Sequence, residues 1–281
     1  MFFYYLRSMK LMLLALTLWC GVCGNILDVA KAYLGVPYVA GTLESPDGEE
    51  RLITSEDSLD CTTFVELTVA RWLAQQSDSL TFEQQVERLR YREGAIDGYL
   101  SRLHYFTDWV AENTRRGVWH ELSPEEGSPI WTTDTLHLSF MSHHPQSYPY
   151  LKANAWAVDS MHRIEQRYAH YSIHYINKEY LNLGPDELPI RNGDIVAQVT
   201  TIAGLDVTHL GFAVWREQKL HLMHASMKHG KVIIDEQSLF DYLKTRKSCP
   251  GVRVVRLKMK DKKWKKHEYT KHRFSPFLHS I

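Results

Sequence analysis

Cysteine is scarce in this chain: there are four in 281 residues, and Cys20 and Cys23 fall in a leading apolar segment. The remaining two, Cys61 and Cys249, are too few for a disulfide-stapled exported fold. A Cys61–Cys249 bridge stays open from the sequence, although Cys249 lies in the turn signal Lys247-Ser248-Cys249-Pro250-Gly251. Net charge is lacking too, with 33 basic against 33 acidic residues. Residues 257–281 hold eight basic residues against two acidic ones and residues 1–24 hold no acid, so the body between them is mildly acidic and unlike a nucleic-acid-binding domain. The apolar run from Leu11 to Trp19 is too short to cross a bilayer. No internal repeat is present. A zinc-protease motif is missing as well: His170 and His174 are four apart, but position 171 is Tyr where that motif needs Glu. His137, His143 and His144 lie in an irregular region without a matching carboxylate pattern. No metal and no cofactor are expected.

What is present fits a globular protein of one large domain or two small ones, with 44% hydrophobic and 23% charged residues. Arg7 and Lys10 precede the apolar run and small residues follow it, so residues 1–24 read as a secretory signal peptide. Met9-Lys10 would itself make an ordinary start. Leu18-Trp19 and Gly21-Val22 fit a lipoprotein site at Cys20 or Cys23 poorly. A periplasmic or secreted location follows, with no stable membrane insertion. Residues 258–281 form a basic tail that reads as solvated, with Trp264 and Phe274 leaving room for a surface anchor.

The patterning between these ends places helices first and strands last. Ile26, Val29, Ala30, Tyr33 and Leu34 recur at helical spacing, and Gly35-Val36-Pro37 ends that helix. Asp60 is a candidate N-cap, and Phe64, Val65, Val69, Trp72 and Leu73 predict a helix to about Gln76. Residues 78–190 read as a large, mostly helical insertion, with helices over Thr81 to Tyr91, Tyr99 to Asn113 and 151–170, and an irregular stretch over 117–150. From Asn192 the period changes to two. Strands are predicted at Ile195 to Val199, His209 to Trp215, Leu220 to Ser226, Lys231 to Ile234 and Gly251 to Leu257, with a small helix over Gln237 to Lys244. The fold class expected is α+β with an antiparallel sheet, in a domain spanning 25–257.

Cys61 falls in the first turn of the Asp60-capped helix, where the positive end of the helix dipole favours a thiolate. A buried structural cysteine is the plain alternative. Cysteine catalysis also needs a base, and a third group to orient that base. The turn Arg216-Glu217-Gln218-Lys219 pairs 215 with 220, which puts His209 about opposite 226 and a diagonal step from His224. Such a step is roughly 5–8 Å. His221, three residues from His224, points to the other face.

Gly35-Val36-Pro37-Tyr38, Asp60-Cys61-Thr62, Thr208-His209-Leu210-Gly211 and His224-Ala225-Ser226 resemble the signature of the NlpC-like superfamily of papain-fold cell-wall amidases. Thr42-Leu43-Glu44, Ser101-Arg102-Leu103-His104-Tyr105-Phe106 and Phe140-Met141-Ser142 resemble one branch, N-acetylmuramoyl-L-alanine amidases that act on anhydro-muropeptides. The resemblance implies a papain-like core with the nucleophile-bearing helix packed on the sheet. It implies Cys61 as nucleophile, His209 as base and acid, and His224 as orienting member. Tyr38 would assist at the oxyanion, and Thr42, Arg102, His104, Tyr105 and Ser142 would line the glycan or peptide groove. Helix packing for Tyr105 and a solvated Arg102 are the structural alternatives. The partner implied is a peptidoglycan fragment, and nothing requires more than a monomer. Two other functions remain in view: a γ-D-glutamyl-diamino acid endopeptidase of the same superfamily, and an inactive wall-binding module.

Overall fold

The computed structural model describes residues 24–45, 49–76 and 79–258. The expected signal peptide (1–24) and basic tail (258–281) thus lie almost wholly outside the described residues. No helix among the described residues is long and apolar enough to cross a membrane.

Helix α1 (Ile26–Lys31) buries Ile26, Leu27, Val29 and Ala30. Trp72 Nε1 donates to the Gly24 carbonyl at 2.9 Å and ties the start of the described chain to the next helix. That helix, α2 (Cys61–Gln75), is the centre of the fold. Asp60 caps it: its carboxylate accepts from the Thr63 N–H at 2.8 Å, while Thr63 Oγ1 accepts from the Asp60 N–H at 2.9 Å. This reciprocal box satisfies two groups that a helix start leaves unpaired. The predicted apolar stripe is broader than its spacing suggests, because Thr63 to Ala70 is buried without a break. Phe64 meets Phe212 of the sheet edge-on, with ring centroids 5.6 Å apart.

Helix α3 (Phe82–Arg90) falls within the helix predicted over Thr81 to Tyr91, with Thr81 as its N-cap. The single helix predicted over Tyr99 to Asn113 is broken. Tyr99–Ser101 is one 3₁₀ turn, Arg102 to Tyr105 is not helical, and α4 spans Phe106–Arg115. Long-range partners take over the interrupted stretch: the Leu103 N–H donates to the Arg90 carbonyl at 2.9 Å, and Arg102 bridges Tyr91.

The segment read as irregular contains strand β1 (Trp119–Glu121), strand β2 (Trp131–Thr135), and the short helices α5 (Phe140–His143) and α6 (Pro149–Ala153). Helix α7 (Ala155–Gln166) matches the helix predicted there, but β3 (Ser172–Asn177) follows it unpredicted. Ile173 and Tyr175 are buried on β3, and His174 Nδ1 lies 2.9 Å from Thr133 Oγ1 of β2. His170 and His174 therefore do not share a helix face.

Strands β4 (Ile195–Val199), β5 (Val207–Arg216), β6 (Lys219–Ser226) and β7 (Lys231–Ile234), helix α8 (Leu239–Leu243) and strand β8 (Gly251–Leu257) fall where the period-two pattern puts them. All pairings between the named strands are antiparallel, in the order β2-β3-β8-β4-β5-β6-β7, with β1 also on β8. The last strand thus lies inside the sheet, and the insertion supplies three of its members. Gly251 permits this: a Cβ there would sit 2.1 Å from the Ile176 carbonyl oxygen of β3. Arg253, fully buried on β8, donates to Glu121 of β1 at 2.5 Å and to Thr107 of α4 at 2.6 Å. Both sheet faces are covered. One packs on α1 to α4 and the other on α8 and the segment around Leu188.

Candidate active site

Cys61, on the first turn of α2, and His209, near the start of β5, line one cavity of about 280 Å³. Leu210 of β5 lines the same cavity, and the Leu210 backbone, the Thr62 side chain and the Cys61 backbone all favour the charged form of the thiol. His209 Nε2 and His224 Nδ1 lie 2.6 Å apart with the rings nearly perpendicular at 82°. The register expected from the turn is present, since Trp215 pairs with Leu220 and Phe212 with Met223. The two imidazoles are in direct contact, closer than a diagonal step requires. Gly211 is the reason: a Cβ there would sit 2.5 Å from the Met223 carbonyl oxygen and 2.9 Å from His224 Cβ. Without one, β6 closes on β5 at the histidines. His221 turns away, its Nδ1 3.0 Å from the Asp235 carbonyl oxygen.

The electrostatics differ from what the helix dipole alone predicts. Burial, with the Asp60 carboxylate adding to it, pushes the Cys61 thiol up to about 11, against the pull of its hydrogen-bond donors. Burial first, then His224 and Arg246, push His209 down to about 3. Burial likewise lowers His224 to about 4, opposed by Asp235. At neutral pH both groups in the cavity are uncharged, a thiol and an imidazole, because desolvation of a charge outweighs a dipole of half a unit charge. Alkylation of Cys61 by iodoacetamide, followed by peptide mass spectrometry, is accordingly expected to be slower at pH 7 than that of free cysteine. It should rise about tenfold per pH unit towards 11, since the thiolate reacts. A rate already level below pH 8 would show a resting thiolate and refute this account.

The predicted groove residues divide into two groups. Arg102, His104 and Tyr105 line the same cavity as Cys61; Tyr38, Thr42 and Ser142 are not among its lining residues. Arg102 is buried rather than solvated. It donates to the Leu43 carbonyl at 3.0 Å and to Glu44 at 2.7 Å, with Nε 3.4 Å from Glu50, and so ties these three residues to the insertion. His104 Nε2 lies 2.9 Å from the Tyr99 carbonyl oxygen, and burial together with Arg102 keeps this ring neutral. Tyr105 donates to Glu165 at 2.6 Å and accepts from the Met141 N–H at 2.8 Å, so both functions of its hydroxyl are taken. Ser142 also binds Glu165, behind the cavity wall. Tyr38 stands near the thiol, and burial, Cys61 and Asp60 raise its phenol. The Thr42 hydroxyl is buried without a hydrogen-bond partner among the described residues.

Sequence reasoning missed Asp235. Its Oδ2 lies 3.6 Å from His224 Nε2, on the far side of that ring from His209. An acid after a strand reads as a turn residue, and only the β6–β7 pairing brings it behind His224. Cys249 is buried and free, and Cys61 is also free. Among the described residues no group of three or more His, Cys, Asp or Glu side chains could hold a metal ion.

A family model described as N-acetylmuramoyl-L-alanine amidase-like matches residues 28–252. An N-acetylmuramoyl-L-alanine amidase from Bacteroides uniformis ATCC 8492, solved at 1.07 Å, is similar at 41% identity over 84% of this chain and 98% of its own, with a TM-score of 0.77. A second structure of that description and organism, at 1.30 Å, shares 38% identity over 84% and 99%, with a TM-score of 0.74. A Bacteroides fragilis structure provisionally described as a xylanase shares 42% identity over 82% and 100%, with a TM-score of 0.75. No curated protein matches.

Proposed function

The chain belongs to the N-acetylmuramoyl-L-alanine amidase-like family, and we propose that it uses Cys61 to cut the amide between a muramoyl lactyl group and L-alanine. The substrate proposed is a released peptidoglycan fragment of the GlcNAc-anhydro-MurNAc-peptide class, met in the periplasm or outside the cell. The observation that carries the mechanism is that Cys61 and His209 line one cavity, with His224 Nδ1 2.6 Å from His209 Nε2.

His209 spends Nε2 on His224, which leaves Nδ1 for the thiol. With both partners neutral, proton transfer accompanies attack: Sγ bonds to the amide carbonyl carbon as Nδ1 takes its proton. The donor proposed for the oxyanion is the Cys61 N–H at the helix start, assisted by the Tyr38 hydroxyl from outside the cavity lining, whose raised pKa keeps it a phenol. Collapse breaks the C–N bond, and His209 delivers its proton to the departing alanine amine. Water, deprotonated by His209, then opens the thioester, releasing the muramoyl acid and restoring the thiol.

The cavity carboxylates do not suit glycoside hydrolysis, which needs two of them free to act on one bond. Asp60 caps α2, Glu66 pairs with Arg90, Glu44 pairs with Arg102, and Asp206 accepts from the Thr107 N–H at 2.7 Å. Mass spectrometry of a digest of a defined anhydro-muropeptide separates the readings. Free disaccharide and intact stem peptide are expected. A disaccharide–dipeptide product would instead mean cleavage after D-glutamate and would sink the proposal.

A further inference from the structure

Which imidazole nitrogen carries the proton decides whether His209 is a base at all. For its Nδ1 to accept the Cys61 proton, its single ring proton must sit on Nε2. That N–H points at His224 Nδ1, 2.6 Å away, which must then be the acceptor. A neutral imidazole with an accepting Nδ1 carries its own proton on Nε2. His224 Nε2 is buried and has no hydrogen-bond partner within normal reach among the described residues. The group facing it is Asp235 Oδ2, at 3.6 Å, on a side chain only 7% exposed.

We propose that Asp235 is a positioning residue that fixes the tautomers of His224 and His209 in series, so that the chain runs Asp235, His224, His209, Cys61 with every ring proton pointing toward Asp235. This rests on the cysteine-amidase reading above. The carboxylate is acceptor-only, so it admits just one polarity of the chain. It does not need to touch substrate. The other charged or titratable groups that influence His224 and His209, His229 and Arg246, disfavour added positive charge there. The Tyr242 ring, 6.0 Å from that of His224, contributes an aromatic edge.

The isosteric change Asp235→Asn separates positioning from mere structure. Asp235 Oδ1 accepts from the Gln237 N–H at 2.9 Å, and Asn keeps that bond with its own oxygen. Its amide nitrogen then faces His224 Nε2 as a donor. His224 must move its proton to Nδ1, and His209 must follow, turning an N–H toward the thiol. In serine proteases the corresponding Asp→Asn change costs roughly 10⁴ in kcat through this wrong tautomer. Here kcat is expected to fall at least about hundredfold with KM within about threefold, because the fault lies in proton transfer and not in binding.

The deciding readout is long-range ¹⁵N–¹H NMR of the histidine rings in the intact protein. In wild type, His224 and His209 are both expected as Nε2–H. In Asp235→Asn both are expected as Nδ1–H. Unchanged tautomers in the variant, or a wild-type His224 already protonated on Nδ1, would overturn the proposal, and the second result needs no variant that folds. If the wild-type protein released no disaccharide, the activity reading would fail while the tautomer spectra still decided the role of Asp235.

Discussion

Replacing Cys61 by alanine is expected to abolish release of disaccharide, lowering kcat by roughly 10⁴-fold or more. Removing the nucleophile of a covalent mechanism leaves only binding and oxyanion contacts, and in a well-measured protease this costs about 2 × 10⁶. The fold should survive. The residue makes no disulfide, and the α2 start is held by the Asp60–Thr63 capping box and not by the thiol. Affinity for the fragment, measured by calorimetry with the inactive variant, should stay within about threefold. Residual turnover within tenfold of wild type would place the nucleophile elsewhere or make water the direct attacker. Wild type and variant that bind alike and both fail to hydrolyse would mark a wall-binding module. Serine at 61 should not rescue activity. A hydroxyl is far harder to deprotonate than a thiol, and a base already lowered to about 3 by burial has little driving force to do it.

The second large effect falls on stability. Glu66 and Arg90 are each 2% exposed, and Arg90 Nε donates to Glu66 at 2.7 Å, joining α2 to α3 beside the cavity. Glu66→Ala would leave a buried guanidinium without its ion-pair partner, with the Ile53 carbonyl and the Tyr91 hydroxyl beside it. Breaking one side of such a pair costs about 3–5 kcal/mol, because the surviving charge is desolvated without compensation. Urea unfolding should show that loss as a lower midpoint at unchanged slope. The double variant Glu66→Leu with Arg90→Met should recover most of it, since an apolar pair of similar volume carries no desolvation cost. A loss below about 1 kcal/mol in the single variant would mean that water reaches Arg90 and that the pair is not sealed.

Much of the site was legible because its signals are local. Asp60 before an apolar helical pattern placed Cys61 on a helix start, and Asp60 does cap α2 through Thr63. The four-residue turn at 216–219 set the strand register, and that register brought His209 to His224. The segment 99–105 and strand β3 were less readable. Their conformation answers to partners far along the chain, Arg90 for Leu103 and β2 and β8 for β3, and not to their own spacing. Tyr105 and Ser142 were legible as motif residues, yet their hydroxyls converge on Glu165, which no motif marked.

The sequence by itself determined the order of elements, the helix start under Cys61 and the register of the histidine hairpin, because caps, turns and periodicity act within a few residues. Tertiary structure alone decided the resting charge of the site. The thiol is held up and the imidazoles down by burial, a property of everything packed around them. It also decided that Arg102 is a buried clamp, that the insertion shares the sheet, and that Asp235 stands behind His224. Desolvation and long-range pairing depend on where the whole chain comes to rest, so no short stretch of residues could report them.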